Sequence, residues 1–192
     1  MTSNFFSFVS RMKYINRWGL MNNTKYENLS EHSMEVAMLA HALVVIANKR
    51  CNKNLDANRA ALLGLYHDAS EIITGDMPTP IKYLNDDIKT AYKSIESGAE
   101  KELLSLLPDY LRDEYKDIIS IPDDDELKIY VKAADKLSAL IKCIEEIKMS
   151  NKEFEKALDA TKKSLKSMKL EALDIFMKEF LPTFYDTIDE TR

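Results

Sequence analysis

Apolar residues recur along this chain three or four positions apart, the spacing of one face of an α-helix. Residues 4–16 show it first, with Phe5, Phe6, Phe8, Val9, Met12 and Ile15. A loop over 17–29 follows and holds the single tryptophan, Trp18. Ser30 reads as the N-cap of a second helix, with Glu31 in the first turn, where the helix dipole favours an anion. From 36 to 47 every residue but His41 is apolar, so this helix is expected to run buried through the centre. Asp56 or Asn58 can cap a third helix over 60–74, which Gly75 stops. Asp76-Met77-Pro78-Thr79-Pro80 carries two prolines in three positions and reads as an ordered, non-helical turn. A fourth helix over 85–107 presents Ile88, Tyr92, Ile95, Ala99, Leu103 and Leu106 on one face and ends at Pro108. A less regular stretch over 110–121 leads to a fifth helix over 126–149, and a sixth runs over 152–180 until Pro182. Strict alternation persists nowhere. The chain reads as all-α, with about six main helices.

Composition narrows the class of protein. The chain of 192 residues has no internal repeat and no Gly/Ser linker, so one domain over 1–192 is expected. Only 4 glycines and 5 prolines are too few for the many turns of a sandwich or barrel. A net charge of −5 argues against a nucleic acid polymer as partner, because such a grip needs many basic phosphate contacts. A small phosphorylated ligand remains compatible, since one cation and a few basic side chains reverse the field locally. Residues 1–26 carry Arg11, Lys13, Arg17 and Lys25 and no acid. That basic, apolar start shares features with an organellar presequence, but its helical spacing favours a first helix docked on the body. Cys51 and Cys143 form no CxxC pair, which points to a reducing compartment and hence the cytoplasm. No apolar run approaches the roughly 20 residues that span a bilayer, so no membrane partner is expected.

The chemistry rests on few residues. There are three histidines, His32, His41 and His67. His67-Asp68 is an adjacent pair late in the third helix, and Glu71 follows at helical spacing from both. Adjacent helical residues diverge by about 100°, yet both can reach an ion that sits between them. His32 lies in the first turn of the buried helix. Asp135 sits beside the apolar stripe of the fifth helix, where a carboxylate needs a partner, either a metal ion or a lysine. Two His and two Asp suit a divalent transition metal such as cobalt, manganese, iron or zinc. Such an ion acidifies water and polarises a phosphoryl group. His41, about 900° of helical turn beyond His32, faces the opposite side and reads as structural.

The order His…His-Asp…Asp on successive helices resembles the HD-domain metal-dependent phosphohydrolases. The likeness extends to the bacterial 5'-deoxynucleotidases of the YfbR type. It is carried by Ser10-Arg11-Met12-Lys13-Tyr14-Ile15-Asn16-Arg17-Trp18 and Glu27-Asn28-Leu29-Ser30-Glu31-His32-Ser33. Tyr66-His67-Asp68-Ala69-Ser70-Glu71, Thr74-Gly75-Asp76-Met77-Pro78-Thr79-Pro80 and Lys132-Ala133-Ala134-Asp135 extend it, as does Phe180-Leu181-Pro182-Thr183-Phe184. The Arg-Trp and Gly-Asp-x-Pro-Thr-Pro blocks are more specific than the HD pair. Gly19 and Met77 depart from the pattern without removing a polar group.

This resemblance implies an HD-domain helical bundle with the metal site between central helices. It implies one divalent metal ion on His32, His67, Asp68 and Asp135. Glu71 falls on the acid/base position, Arg17 orients phosphate, and Trp18 contacts the nucleoside. Asp68 bridges ion and reacting group, and Asp76, Met77, Pro78 and Thr79 form a substrate-binding turn. The expected activity removes the 5'-phosphate of deoxyribonucleoside 5'-monophosphates, and the expected assembly is a homodimer. Two rivals stay open: another HD-type hydrolase acting on triphosphates or phosphodiesters, and a non-catalytic helical module whose His and Asp pair among themselves and with lysines.

Overall fold

The computed structural model describes residues 2–82 and 84–190, with Thr79 described by its backbone alone. In chain order the helices are α1 (Phe5–Val9), α2 (Leu29–Arg50), α3 (Ala57–Tyr66), α4 (Glu71–Thr74) and α5 (Thr79–Lys82). They continue with α6 (Asp86–Ser105), α7 (Asp109–Ile119), α8 (Lys128–Lys148), α9 (Glu155–Ser167) and α10 (Glu171–Glu179). Short 3-10 turns occupy Ser10–Tyr14, Lys152–Phe154 and Leu181–Tyr185. Among the described residues there is no strand, only an isolated antiparallel bridge between Asn16 and Asn28. The all-α reading holds.

Helix α2 is the axis of the molecule and packs on α3, α8 and α10. Val36, Ala40, Leu43, Val44 and Ala47 meet Ala60 and Leu63 of α3 and Leu137, Leu140 and Ile144 of α8 in the larger core. A smaller core joins Phe5, Met12 and Leu29 to Leu103, Leu107 and Ile119. The first helix therefore docks on the body, as its spacing implied. It is shorter than expected, because the α-helix ends at Val9 and tightens into a 3-10 turn.

Several boundaries differ from the sequence reading, each for a local reason. Asn28, not Ser30, caps α2: its side chain accepts from the Ser30 and Glu31 N–H groups while Glu31 reaches back, a reciprocal capping box. Asp56 caps α3 by accepting from Arg59 N–H. The third helix breaks after Tyr66, where His67 Nδ1 donates to the Gly64 carbonyl at 2.8 Å, and the chain turns through 67–70 before α4. Part of the proline-rich turn is helical, since α5 spans Thr79–Lys82 and Pro80 falls in its first turn, where a missing N–H is harmless. The stretch over 110–121 is largely a regular helix, α7, entered from Pro108. The last segment divides at Lys169, whose φ of 51° lies in the left-handed region and separates α9 from α10.

Helix α2 is not buried all round. Met34, Met38, His41 and Val45 line an exposed side, so His41 faces solvent and belongs to no core. With 22 residues and a mean hydropathy of 1.3 over its best window, α2 is also long and apolar enough to cross a membrane by those measures alone. It is packed instead among α3, α8 and α10. Glycine decides how closely one of these neighbours approaches: a Cβ on Gly64 would come within 2.9 Å of the Ala37 Cα. That close approach sets the distance between α2, which carries His32, and α3, which leads directly into His67.

Candidate active site

His32, on the first turns of α2, is fully buried. Its Nδ1 lies 3.0 Å from Ser138 Oγ on α8, and Ser138 Oγ donates in turn to the Glu35 carboxylate. With the hydroxyl proton committed to Glu35, Ser138 accepts from Nδ1–H and leaves His32 Nε2 bare. His67 reaches the same state by another route. Its Nδ1 faces the Gly64 carbonyl, which only accepts, so Nδ1 carries a proton and, in the neutral ring, Nε2 is bare. Neither Nε2 has a hydrogen-bond partner.

Both bare nitrogens face carboxylates. His67 Nε2 is 3.0 Å from Asp68 Oδ2, and His32 Nε2 is 3.5 Å from the same oxygen and 3.3 Å from Asp135 Oδ1. One atom each of His32, His67 and Asp135 lie within 4.8 Å of one another. His67 and Asp68 open the turn at 67–70, and both side chains reach this one point. Burial opposes charge on His67, but Asp68 and Asp135 outweigh it and lift its pKa to about 8. Burial likewise opposes the Asp68 carboxylate, and the two imidazoles still hold it well below its ordinary range. Mixed imidazole and carboxylate donors, converging with unpartnered lone pairs, fit a divalent metal ion.

Glu71 opens α4 and is 8% exposed, with Oε2 buried and unpartnered. Burial, reinforced by Asp68 and Asp76, lifts its carboxyl to about 9. Lys82 opposes the rise but is itself engaged by Glu96 at 2.7 Å. Burial and the two neighbouring carboxylates thus favour the protonated form of Glu71. Burial also raises Asp76, which accepts a hydrogen bond from the Trp18 backbone.

The remaining residues stand around a cleft of about 700 Å³ beside the cluster. Arg17, Trp18, Asp76, Pro78 and Asp135 are on its wall, facing Ala157, Ala160 and Ser164 of α9. Arg17 Nη1 donates to Glu27 Oε2 at 2.7 Å, and Arg17 Nη2 stays 3.9 Å from Asp135. The Trp18 ring packs 5.4 Å from Phe154, and its Nε1 donates to Glu27 Oε2 at 3.0 Å. Met77 is partly buried between Asp76 and Pro78. The Thr79 side chain lies outside the described residues.

Three groups escaped the sequence reading. Glu27 binds both residues of the Arg-Trp pair. Ser138 and Glu35 orient His32. Lys142 and Glu146, 3% and 1% exposed, form a buried ion pair under the loop over 17–28. Glu146 accepts from Thr24 N, Thr24 Oγ1 and Asn151 Nδ2, while Lys142 Nζ donates to the Lys25 carbonyl. An i,i+4 Lys/Glu pair on α8 offered a signal, although such a pair more often lies on a solvated helix face.

Comparison with known proteins decides the family. The model of the "5'-deoxynucleotidase YfbR-like" family matches residues 4–184. The chain belongs to this YfbR-like family. A 5'-deoxynucleotidase of Enterobacter sp. (strain 638) is 47% identical over 189 residues, covering 98% of this chain and 95% of that protein. The 5'-deoxynucleotidase YfbR of Escherichia coli (strain ATCC 8739) is 46% identical with the same coverage. Among solved structures, an HD-domain phosphohydrolase from Listeria innocua superposes with a TM-score of 0.81 at 21% identity, covering 96% of this chain and 90% of that one. A cyanophage S-2L HD phosphohydrolase, bound to dA and one catalytic Zn2+ ion, superposes at 0.67 with 20% identity and coverage of 97% and 99%. These two likenesses establish the HD-domain fold. YfbR-like proteins are hydrolases.

Proposed function

We propose that this chain is a single phosphohydrolase domain that converts deoxyribonucleoside 5'-monophosphates into deoxyribonucleosides and phosphate. One observation carries the reading. Two buried imidazole nitrogens without partners face two carboxylates at the side of a cleft walled by Arg17 and Trp18. His32, His67, Asp68 and Asp135 would hold one divalent transition ion, with cobalt, manganese, iron and zinc all compatible. Such an ion supplies Lewis acidity, making water a better nucleophile and neutralising phosphoryl charge.

The chain's own groups do the rest. Hydrolysis adds water across the P–O5' bond, so one O–P bond forms, the P–O5' bond breaks, and a proton must reach the departing oxygen. Glu71, kept neutral by burial, is the group that handles this proton. The Arg17 guanidinium offers a planar fork to phosphoryl oxygens and neutralises charge as it builds. Asp68, one of the four groups that would hold the ion, would also orient the reacting phosphoryl group. Asp76 accepts a sugar hydroxyl, and Met77, Pro78 and Thr79 complete the turn beneath it. Trp18 narrows the sugar position so that a ribose 2'-hydroxyl is excluded, a steric discrimination that need not be absolute.

The deciding experiment measures phosphate release from dAMP and AMP with Mn2+ or Co2+, together with elemental analysis of the purified protein. Metal-dependent release that favours dAMP is expected, and EDTA should lower both activity and Tm. Equal rates on the two substrates would remove the sugar selectivity. A metal-free protein whose Tm ignores EDTA would remove the enzyme. We further propose a cytoplasmic homodimer. Free Cys51 and Cys143 fit a reducing compartment, and exposed Met34, Met38 and Val45 on α2 offer apolar surface for a second copy. Sedimentation at a mass twice 22.1 kDa checks the dimer, and a concentration-independent monomer refutes it.

A further inference from the structure

We propose that Glu27 is a positioning residue that locks Arg17 and Trp18 into one unit, so that phosphate binding and sugar discrimination share a single anchor. This deepens the function proposed above and rests on it. Glu27 Oε2 alone accepts from both neighbours, at 2.7 Å from Arg17 Nη1 and 3.0 Å from Trp18 Nε1. The side chain is only 13% exposed, so water competes poorly for that oxygen. The backbone repeats the attachment: Arg17 N–H donates to the Glu27 carbonyl at 3.0 Å beside the Asn16–Asn28 bridge.

Trp18 also has a φ of 61°, in the left-handed region that a bulky residue adopts only when its surroundings hold it. Glu27 is part of what holds it, together with the Arg17 guanidinium, whose Cζ lies 5.9 Å from the indole centroid.

The second half of the argument is competition. Arg17 feels Asp135, Asp68 and Asp76 as well as Glu27. Two of those acids belong to the donor set, and an arginine drawn onto them would be lost to the phosphoryl group. Glu27 gives it a closer acceptor, and Asp135 is left at 3.9 Å. His32 cannot substitute: its Nδ1 is 2.8 Å from Arg17 Nη1, but the tautomer that donates to Ser138 has no lone pair there. The far end of the loop is tied separately by Glu146 and Lys142, so loss of Glu27 leaves the loop attached.

Trp18 is the only tryptophan, and its fluorescence reads the contact directly. In the full-length Glu27→Ala protein, acrylamide quenching of Trp18 is expected to rise about twofold, with the indole no longer held at Nε1. The dAMP-to-AMP ratio of kcat/KM is expected to fall, and KM for dAMP to rise, each about tenfold, the scale of one charge-assisted hydrogen bond. Glu27→Gln, of the same shape, keeps an acceptor oxygen but loses the charge and is expected to show smaller changes in the same direction. It also carries the test if the alanine variant does not fold. Wild-type quenching with a wild-type selectivity ratio in the folded variant overturns the proposal, even if Tm drops. If the wild-type protein fails to hydrolyse dAMP, the proposed function fails instead. Quenching then decides Glu27 alone, a rise supporting its hold on Trp18 and no change overturning it.

Discussion

The two halves of the site are built by different means. The side chains of His32, His67, Asp68 and Asp135 sit on or beside helices, and helix packing brings them together: Gly64 lets α3 approach α2, and Ser138 on α8 turns His32. Arg17 and Trp18 sit on an irregular loop tied largely by carboxylates: Glu27 accepts from both residues, Glu146 accepts from Thr24 farther along the loop, and the Trp18 ring adds one apolar contact on Phe154. Close-packed helices resist displacement, because moving one ligand moves a core. A loop fixed by a few charged hydrogen bonds can be altered one bond at a time. The His/Asp cluster is therefore the rigid half, and the Arg17–Trp18 loop is the adjustable one.

The sharpest break in that comparison is Asp68→Ala. It removes a carboxylate from the point where both imidazoles converge. Phosphate release is expected to fall by at least about a thousandfold, well beyond the ~10–100-fold typical of outer-shell partners. Unchanged hydrolysis would transfer the chemistry elsewhere.

Next in size is Lys142→Met, which strands the buried Glu146 carboxylate. Breaking such a pair costs about 3–5 kcal/mol, measurable by urea unfolding. A loss below about 1 kcal/mol would mean that water reaches Glu146 and the loop has another anchor. The same carboxylate predicts a pH dependence. Burial opposes its charge, but Lys142, Thr24 and Asn151 hold it far below the ordinary carboxylate range. Its contribution is complete above that ordinary range and is lost as pH falls through the depressed folded value. Wild-type Tm should therefore fall more steeply on acidification than that of Glu146→Gln. Parallel curves would count against the pairing.

Gly64→Ala tests the rigid half. Overpacking against the Ala37 backbone is expected to cost about 1–3 kcal/mol and to reduce bound metal, since His67 directly follows α3. Retained metal with lowered Tm would show that the turn at 67–70 absorbs the shift. The smallest effect is expected for Ser138→Ala, about tenfold weaker metal binding by titration, because His32 loses its orienting acceptor. An unchanged affinity would mean that packing alone sets the ring.

Much of this site was legible before any coordinates. Helical periodicity placed His32 and Asp135 on helices that the structure shows, and a family resemblance joined them to His67, Arg17, Trp18 and Glu71. The errors fell where local rules compete. His67 reads as a residue within a helix, yet its ring takes the Gly64 carbonyl and helps end that helix. The run over 36–47 reads as buried throughout, but apolar residues can also face solvent, as Val45 does.

What the amino-acid order settled by itself is local: which stretches are helical, where Gly75 and Pro108 stop them, and which residue types can bind an ion or a phosphate. These follow from spacing within a few residues, because helix formation is a near-neighbour process. Only the tertiary structure decided that Glu27 serves Arg17 and Trp18 together, that Ser138 meets His32 across 106 positions, and that Glu146 reaches Thr24 across 122. A hydrogen bond between distant segments leaves no periodic trace. It depends on how whole helices pack, and packing is settled by the sum of many apolar contacts rather than by any one residue.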